Sequence, residues 1–144
     1  MLRPTAYKRI AMKSLRMFKD IIWGKQTDVR GNKFKRYSTK YGKRKKEGKL
    51  KYQAADSKST RAPYVSGDFR DDFQFRTATK DGFRLGWGAF GGRVKHLAKM
   101  GRPVTTPKKP FPEPVKDMID RQLDLEIKHA LNKTHKNVDV KIGK

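Results

Sequence analysis

The residues with the most chemistry to offer are cationic and aromatic, and they are interleaved. Between Lys33 and Lys51 the chain carries Lys33, Lys35, Arg36, Lys40, Lys43, Arg44, Lys45, Lys46, Lys49 and Lys51 against Glu47 alone, a net charge of +9. Ammonium and guanidinium groups at this density stay solvated until a polyanion or an acidic protein surface neutralises them. Phe34, Tyr37 and Tyr41 fall three and four apart in the same stretch, on one side of a short helix read between Asp28 and Tyr41 after a break at Gly31. Aromatic faces among cations can stack on nucleic-acid bases. The spacing favours the plainer alternative, a stripe packed on the core.

Other reactive groups do not assemble into a site. His96, His129 and His135 include no pair at the four-residue spacing of a helical metal site, and the gap from His129 to His135 sends those two to different sides of a helix. Asp71 and Asp72 are neighbours, so on a strand they point apart and share no proton. The chain has no cysteine, which removes disulfides and thiolate zinc sites. Gly86-Trp87-Gly88-Ala89-Phe90-Gly91 matches G-x-G-x-x-G between a predicted strand and a predicted helix, the setting of a dinucleotide fingerprint. Too little chain follows it to build parallel strands, Trp87 alternates into a hairpin face, and the glycines serve as bends at the strand's end. No nucleophile has a base at a recognisable spacing. The expectation is a protein that is not an enzyme, with no catalytic, cofactor or metal-binding residues.

The elements that must position the basic stretch centre on a hairpin at about 72–88. Phe73, Phe75, Thr77 and Thr79 alternate with more polar neighbours, Lys80-Asp81-Gly82 offers a turn, and Phe83, Leu85 and Trp87 resume the alternation. Asp-Gly supplies the positive φ of a tight turn. Two strands alone are marginal in water, so helices must cover the apolar face. One is predicted over Thr5–Trp23, with Ala11, Leu15, Phe18 and Ile22 inside and Lys8, Arg9, Lys13, Arg16 and Lys19 outside, ended by Gly24. The other begins at Glu113-Pro114 and repeats Val115, Ile119, Leu123 and Ile127. Between them the sequence predicts a flexible loop tip over 53–62, a short helix over 93–100 capped by Gly101, and an edge strand over 102–107.

The fold class expected is therefore α+β. A small antiparallel sheet is flanked by N-terminal and C-terminal amphipathic helices, with a long basic loop or extension over about 42–62. Residues 1–133 form one domain and 134–144 a flexible tail. The predicted core is Leu15, Phe18, Ile22, Phe73, Phe75, Phe83, Leu85, Trp87, Val115, Ile119, Leu123 and Ile127.

Composition sets the frame for function. Lys and Arg number 37 against 14 Asp and Glu, a formal charge of +23, while hydrophobic residues are 35% and mean hydropathy is -0.94. Such self-repulsion gives a lone molecule no structural benefit, so a polyanion or acidic partner is expected. The longest apolar run, Ile21-Ile22-Trp23, is far short of the roughly 20 residues that span a bilayer. The basic first helix could lie on a membrane surface, but the hairpin needs such a lid, and a soluble, intracellular chain is the expectation.

The order of parts resembles the tailed-phage virion morphogenesis and tail-completion family, the neck or head-to-tail joining proteins. The resemblance runs from about Tyr7 to Leu131. It is carried by the first amphipathic helix, then Phe34-x-x-Tyr37-Ser38-x-x-Tyr41 with a long variable loop, and Val65-Ser66-Gly67-Asp68-Phe69 in the place of a Thr-Gly-Leu type turn. The hairpin ending in Leu85-Gly86-Trp87, then Met100-Gly101-Arg102, Pro110-Phe111-Pro112 and the final helix complete it, with Thr105–Lys109 and a heavier basic run as additions to the pattern. What the resemblance implies is a structural virion protein at the head–tail interface, made in the host cytoplasm. It implies a homo-oligomeric ring, commonly sixfold, between connector or adaptor and tail-tube proteins, with DNA passing through the lumen and no membrane partner. The alternative is a monomeric basic nucleic-acid-binding protein, ribosome-associated or DNA-condensing.

Overall fold

Pro4, whose missing N–H costs nothing in a first turn, opens α1 (Pro4–Lys19). Ala6, Ile10, Ala11, Leu15 and Phe18 form its buried stripe, and Ser14 joins them because its hydroxyl donates to the Ile10 carbonyl at 2.7 Å. The helix then widens into a π-turn over Asp20–Gly24, in which the Lys25 N–H donates to the Asp20 carbonyl five residues back at 2.7 Å. The wider turn keeps Ile21, Ile22 and Trp23 all buried in succession. The computed structural model describes residues 2–54, 57 and 67–142, with side chains in the last helix as far as residue 132.

The remaining elements are α2 (Thr39–Lys46), α3 (Asp68–Asp72), β1 (Gln74–Thr79), β2 (Gly82–Gly86), α4 (Gly92–Lys99) and α5 (Glu113–Ile142). The result is an α+β fold with a two-stranded antiparallel hairpin flanked by N-terminal and C-terminal helices, as the sequence predicts. α1 packs against both the hairpin and α5.

The hairpin departs from strict alternation at one residue. Phe75 pairs with Leu85 but Thr77 pairs with Arg84, so Arg76 is an extra residue, a β-bulge. Beyond it Ala78, paired with Phe83, takes the half-buried positions, while Thr77 and Thr79 are exposed. The bulged Arg76 turns back to donate to the Gly86 carbonyl at 3.1 Å and the Asp72 carbonyl at 2.6 Å. Phe73 lies outside the strand, at the C-cap of α3.

The core collects where α1 and the π-turn meet the approaches to the hairpin. Leu15, Phe18, Ile21, Ile22, Trp23, Phe34, Phe69, Phe73, Val104 and Val115 are buried together. Phe18 packs on Phe73 at 4.5 Å between ring centroids, and Trp87 stacks on Phe69 at 5.2 Å with planes 9° apart. Of the predicted core, Phe75, Phe83, Leu85, Trp87, Ile119 and Leu123 are only half-buried, and Ile127 is 49% exposed. The reason is shape: a two-stranded ribbon is too narrow for α1 to cover fully, and the four-residue repeat of α5 drifts off the face, marked by Gln122 and Glu126, that meets α1. Val29 and Val104 lie in irregular chain with no periodicity to announce burial, Phe69 is buried from the five-residue helix α3, and Phe34 is buried as the core reading of the aromatic stripe expects.

Three further expectations are corrected. The predicted edge strand over 102–107 is not a strand: Thr106 and Lys109 exchange backbone hydrogen bonds at 3.1 and 3.2 Å, so the chain reverses on itself, while Pro103 accepts from the Val29 N–H at 3.0 Å. The predicted helix ending at Tyr41 is instead extended through residues 34–38 and becomes helical from Thr39. The tail predicted over 134–144 continues α5 as far as Ile142. Most of the loop tip predicted over 53–62, and residues Tyr64, Val65 and Ser66, lie outside the described residues.

Candidate polyanion-binding face

The basic stretch is held by two local devices. Ser38 caps α2, its hydroxyl accepting from the Tyr41 N–H at 3.4 Å. The four cations Lys43–Lys46 fill the last turn, where they complement the helix's negative end. Across from it α4 ends in a Schellman motif: the Arg102 N–H donates to the Leu97 carbonyl at 2.8 Å and the Gly101 N–H to the Ala98 carbonyl at 3.1 Å. Gly101 takes the φ of +75° that this ending requires. The turn delivers Arg102 into the body, where its guanidinium lies 3.9 Å from the Tyr37 ring centroid.

Between α2, α3, α4 and the extended 34–38 segment is a cavity of about 770 Å³. Lys35, Arg36, Arg70, Arg93 and Arg102 supply its charge, with His96 among them, and Tyr37, Tyr41, Phe69, Leu97 and Met100 supply its walls. No described lining residue is acidic. The Tyr37 and Tyr41 rings pack at 4.8 Å with planes 58° apart. The three-aromatic stripe thus divides: Phe34 is core, 1% exposed, and the two tyrosines face the cavity.

Burial shapes the acid–base character here. It pushes the Tyr37 phenol up to about 12, with Tyr41 adding to the rise and Arg102 opposing it. It lowers the Lys45 ammonium to about 8, helped by repulsion from Arg102. Lys45 is a correction to the predicted solvated run. Its side chain is fully buried, four residues beyond Tyr41 on the inner face of α2, with its Nζ 5.0 Å from the Tyr37 ring centroid.

The ten predicted polyanion contacts therefore separate. Lys35 and Arg36 line the cavity, and Lys40, Lys43, Arg44 and Lys46 are exposed along α2. Lys33 donates to the Lys25 carbonyl at 2.8 Å, Lys49 pairs with Glu47 at 2.9 Å, and Lys51 lies 5.1 Å from the Tyr52 ring centroid. Arg70, Arg93, His96 and Arg102 were not singled out by the sequence. The spacing Arg93, His96, Leu97 and Met100 does mark one face of a helix and could have found two of them; Arg70 and Arg102 arrive through long-range packing that leaves no local pattern.

The G-x-G-x-x-G segment has a different use from the one its pattern suggests. The Gly88 and Phe90 N–H groups donate to one Asp72 oxygen at 2.7 and 3.0 Å, so these backbone donors are taken by the chain's own carboxylate. The Phe90 N–H, then that of Gly88, and the Arg76 guanidinium together hold the Asp72 carboxyl below its usual range against an opposing desolvation. Among the described residues no group of three or more His, Asp or Glu could hold a metal ion, and no helix is long and apolar enough to cross a membrane. Compared with family models, curated proteins and solved structures, the chain matches none.

Proposed function

We propose that this chain is a structural component of a tailed-phage virion neck, forming a ring between head connector and tail around the DNA path. The observation that carries the reading is the surface left over when the domain is complete. α5 packs on α1 as far as Glu126 and leaves Leu125 58%, Ile127 49% and Leu131 62% exposed away from that contact, on a molecule whose formal charge is +23. Exposed apolar side chains call for protein neighbours, and concentrated positive charge calls for a polyanion or acidic ring partners. A ring beside DNA answers both, and the hairpin with its flanking helices agrees with the order of parts in the family that the sequence resembles.

Mass measurement at physiological salt, followed by electron microscopy of the assembled material, tests the proposal. A closed ring, sixfold on this reading, is the expected result. The cavity's cationic and aromatic lining favours a second reading, a monomeric nucleic-acid-binding protein. A chain that stays monomeric at all concentrations and gains mass only with added polyanion would replace the first reading with the second.

A further inference from the structure

We propose that the cavity between α2, α3 and α4 takes unpaired nucleotides of single-stranded nucleic acid, with a base against Tyr41 and the flanking phosphates on Arg36 and Arg93. The proposal stands on this cavity alone and holds whether the chain is a ring subunit or a monomer. Its volume, about 770 Å³, falls in the roughly 300–1,000 Å³ range of sites that enclose small organic groups. A base with its sugar and phosphate has that size. A duplex hides its bases inside and presents a rod of phosphates, so it meets only the rim.

The lining distinguishes a nucleotide from a bare anion. Among the described residues Lys35, Arg36, Arg93 and His96 make no ion pair, and Arg93 rests on the Phe90 ring at 5.5 Å. Phosphate is therefore met by charge that the described chain does not already neutralise. Arg102 covers one face of Tyr37, whereas half-exposed Tyr41 lines the cavity with its plane tilted 58° from that ring, a second aromatic surface in the same wall. Arg44 lies exposed three residues beyond Tyr41 on the same helix and adds positive charge near that ring. A carboxylate-rich peptide would satisfy the charges but leave the aromatic wall without a matching planar group.

The test is fluorescence anisotropy of the full chain with a labelled oligodeoxythymidylate and with a duplex of equal length, over a series of salt concentrations. The single strand should bind more tightly at every salt. Tyr41→Leu should weaken single-strand binding roughly 5- to 150-fold, the worth of one stacked base, while Tyr41→Phe binds like the native chain. Arg36→Gln and Arg93→Gln should each lower the log–log salt slope by about 0.7. Both arginines are exposed, so these variants fold even if a tyrosine variant does not. Equal affinity for the duplex, or full affinity in Tyr41→Leu with native circular dichroism, overturns the proposal. So does displacement of the oligonucleotide by polyglutamate whose own binding falls equally in Tyr41→Leu.

Discussion

Asp72 shows how one side chain can settle the use of a whole segment. Its carboxylate collects the Gly88 and Phe90 N–H groups and the Arg76 guanidinium, and so ties the end of β2 back to α3. Asp72→Asn should lower the melting temperature at pH 7. A carboxyl held below its ordinary range stabilises the fold above the unfolded value, near 3.9, and loses that contribution as pH falls through the folded value. The gap between native and variant should therefore be full above about pH 4 and close in stronger acid; an equal gap at both ends would sink the assignment. Lys45 has the opposite sign. Its ammonium is lowered to about 8 from 10.5, so the unfolded chain binds the extra proton between those values and native stability should rise across that window. Lys45→Met should remove this part of the rise, measured as the difference between two melting-temperature profiles. Sequence alone could have found Lys45, because Tyr41 and Lys45 are four apart and share a helix face. The density of surrounding charge concealed it.

Among elements, the hairpin was legible because Phe75, Phe83 and Leu85 alternate, and Asp81-Gly82 marks the turn between Thr79 and Gly82. Its bulge was not, since nothing in Phe75-Arg76-Thr77 separates an extra residue from an ordinary outward one. Both terminal helices were legible from their stripes; the limit of α5's burial was not, because a four-residue repeat drifts by about 40° per step around a helix of 3.6 residues per turn and carries Ile127 off the face that meets α1. In the cavity, Lys35, Arg36, Tyr37 and Tyr41 could be read as a cluster, whereas Arg70 and Arg102 depend on how α3 and α4 fold back. Trp87 tests the hairpin's anchorage. It stacks on Phe69 and its indole N–H donates to the Phe69 carbonyl at 2.9 Å, so Trp87→Ala should cost about 3 kcal/mol in denaturant unfolding, the low end for a large aromatic because the ring is half-buried. An unchanged midpoint would show that the ring anchors nothing. For α5, Ile127→Lys with Leu131→Lys should move stability within about 0.5 kcal/mol each but reduce the assembled mass. Assembly equal to that of the native chain would remove this helix from the subunit contact.

At the scale of the molecule, the charge prediction rests on Lys43, Arg44, Lys46, Lys49 and Lys51, with Lys45 set aside because it is buried. Changing these five to Gln should leave thermal unfolding nearly native and shift only polyanion binding or assembly. Binding to duplex DNA should then show a shallower log–log salt slope, by about 0.9 for each phosphate contact removed. A five-fold variant that assembles and binds as the native chain does would reduce the run to a solvated face. The packing of α1 against both the hairpin and α5 governs how the chain reaches this state. α1 is synthesised well before its partners: Phe18 waits for Phe73, Trp87 and Phe111, and Arg9 meets Glu126 at 3.0 Å across 117 positions of sequence. Closing such long loops comes before any reward from the contacts, which slows folding and leaves apolar surface open meanwhile. On the ribosome α1 lacks these partners until the hairpin and then α5 emerge, so the core closes only after α5 has been made.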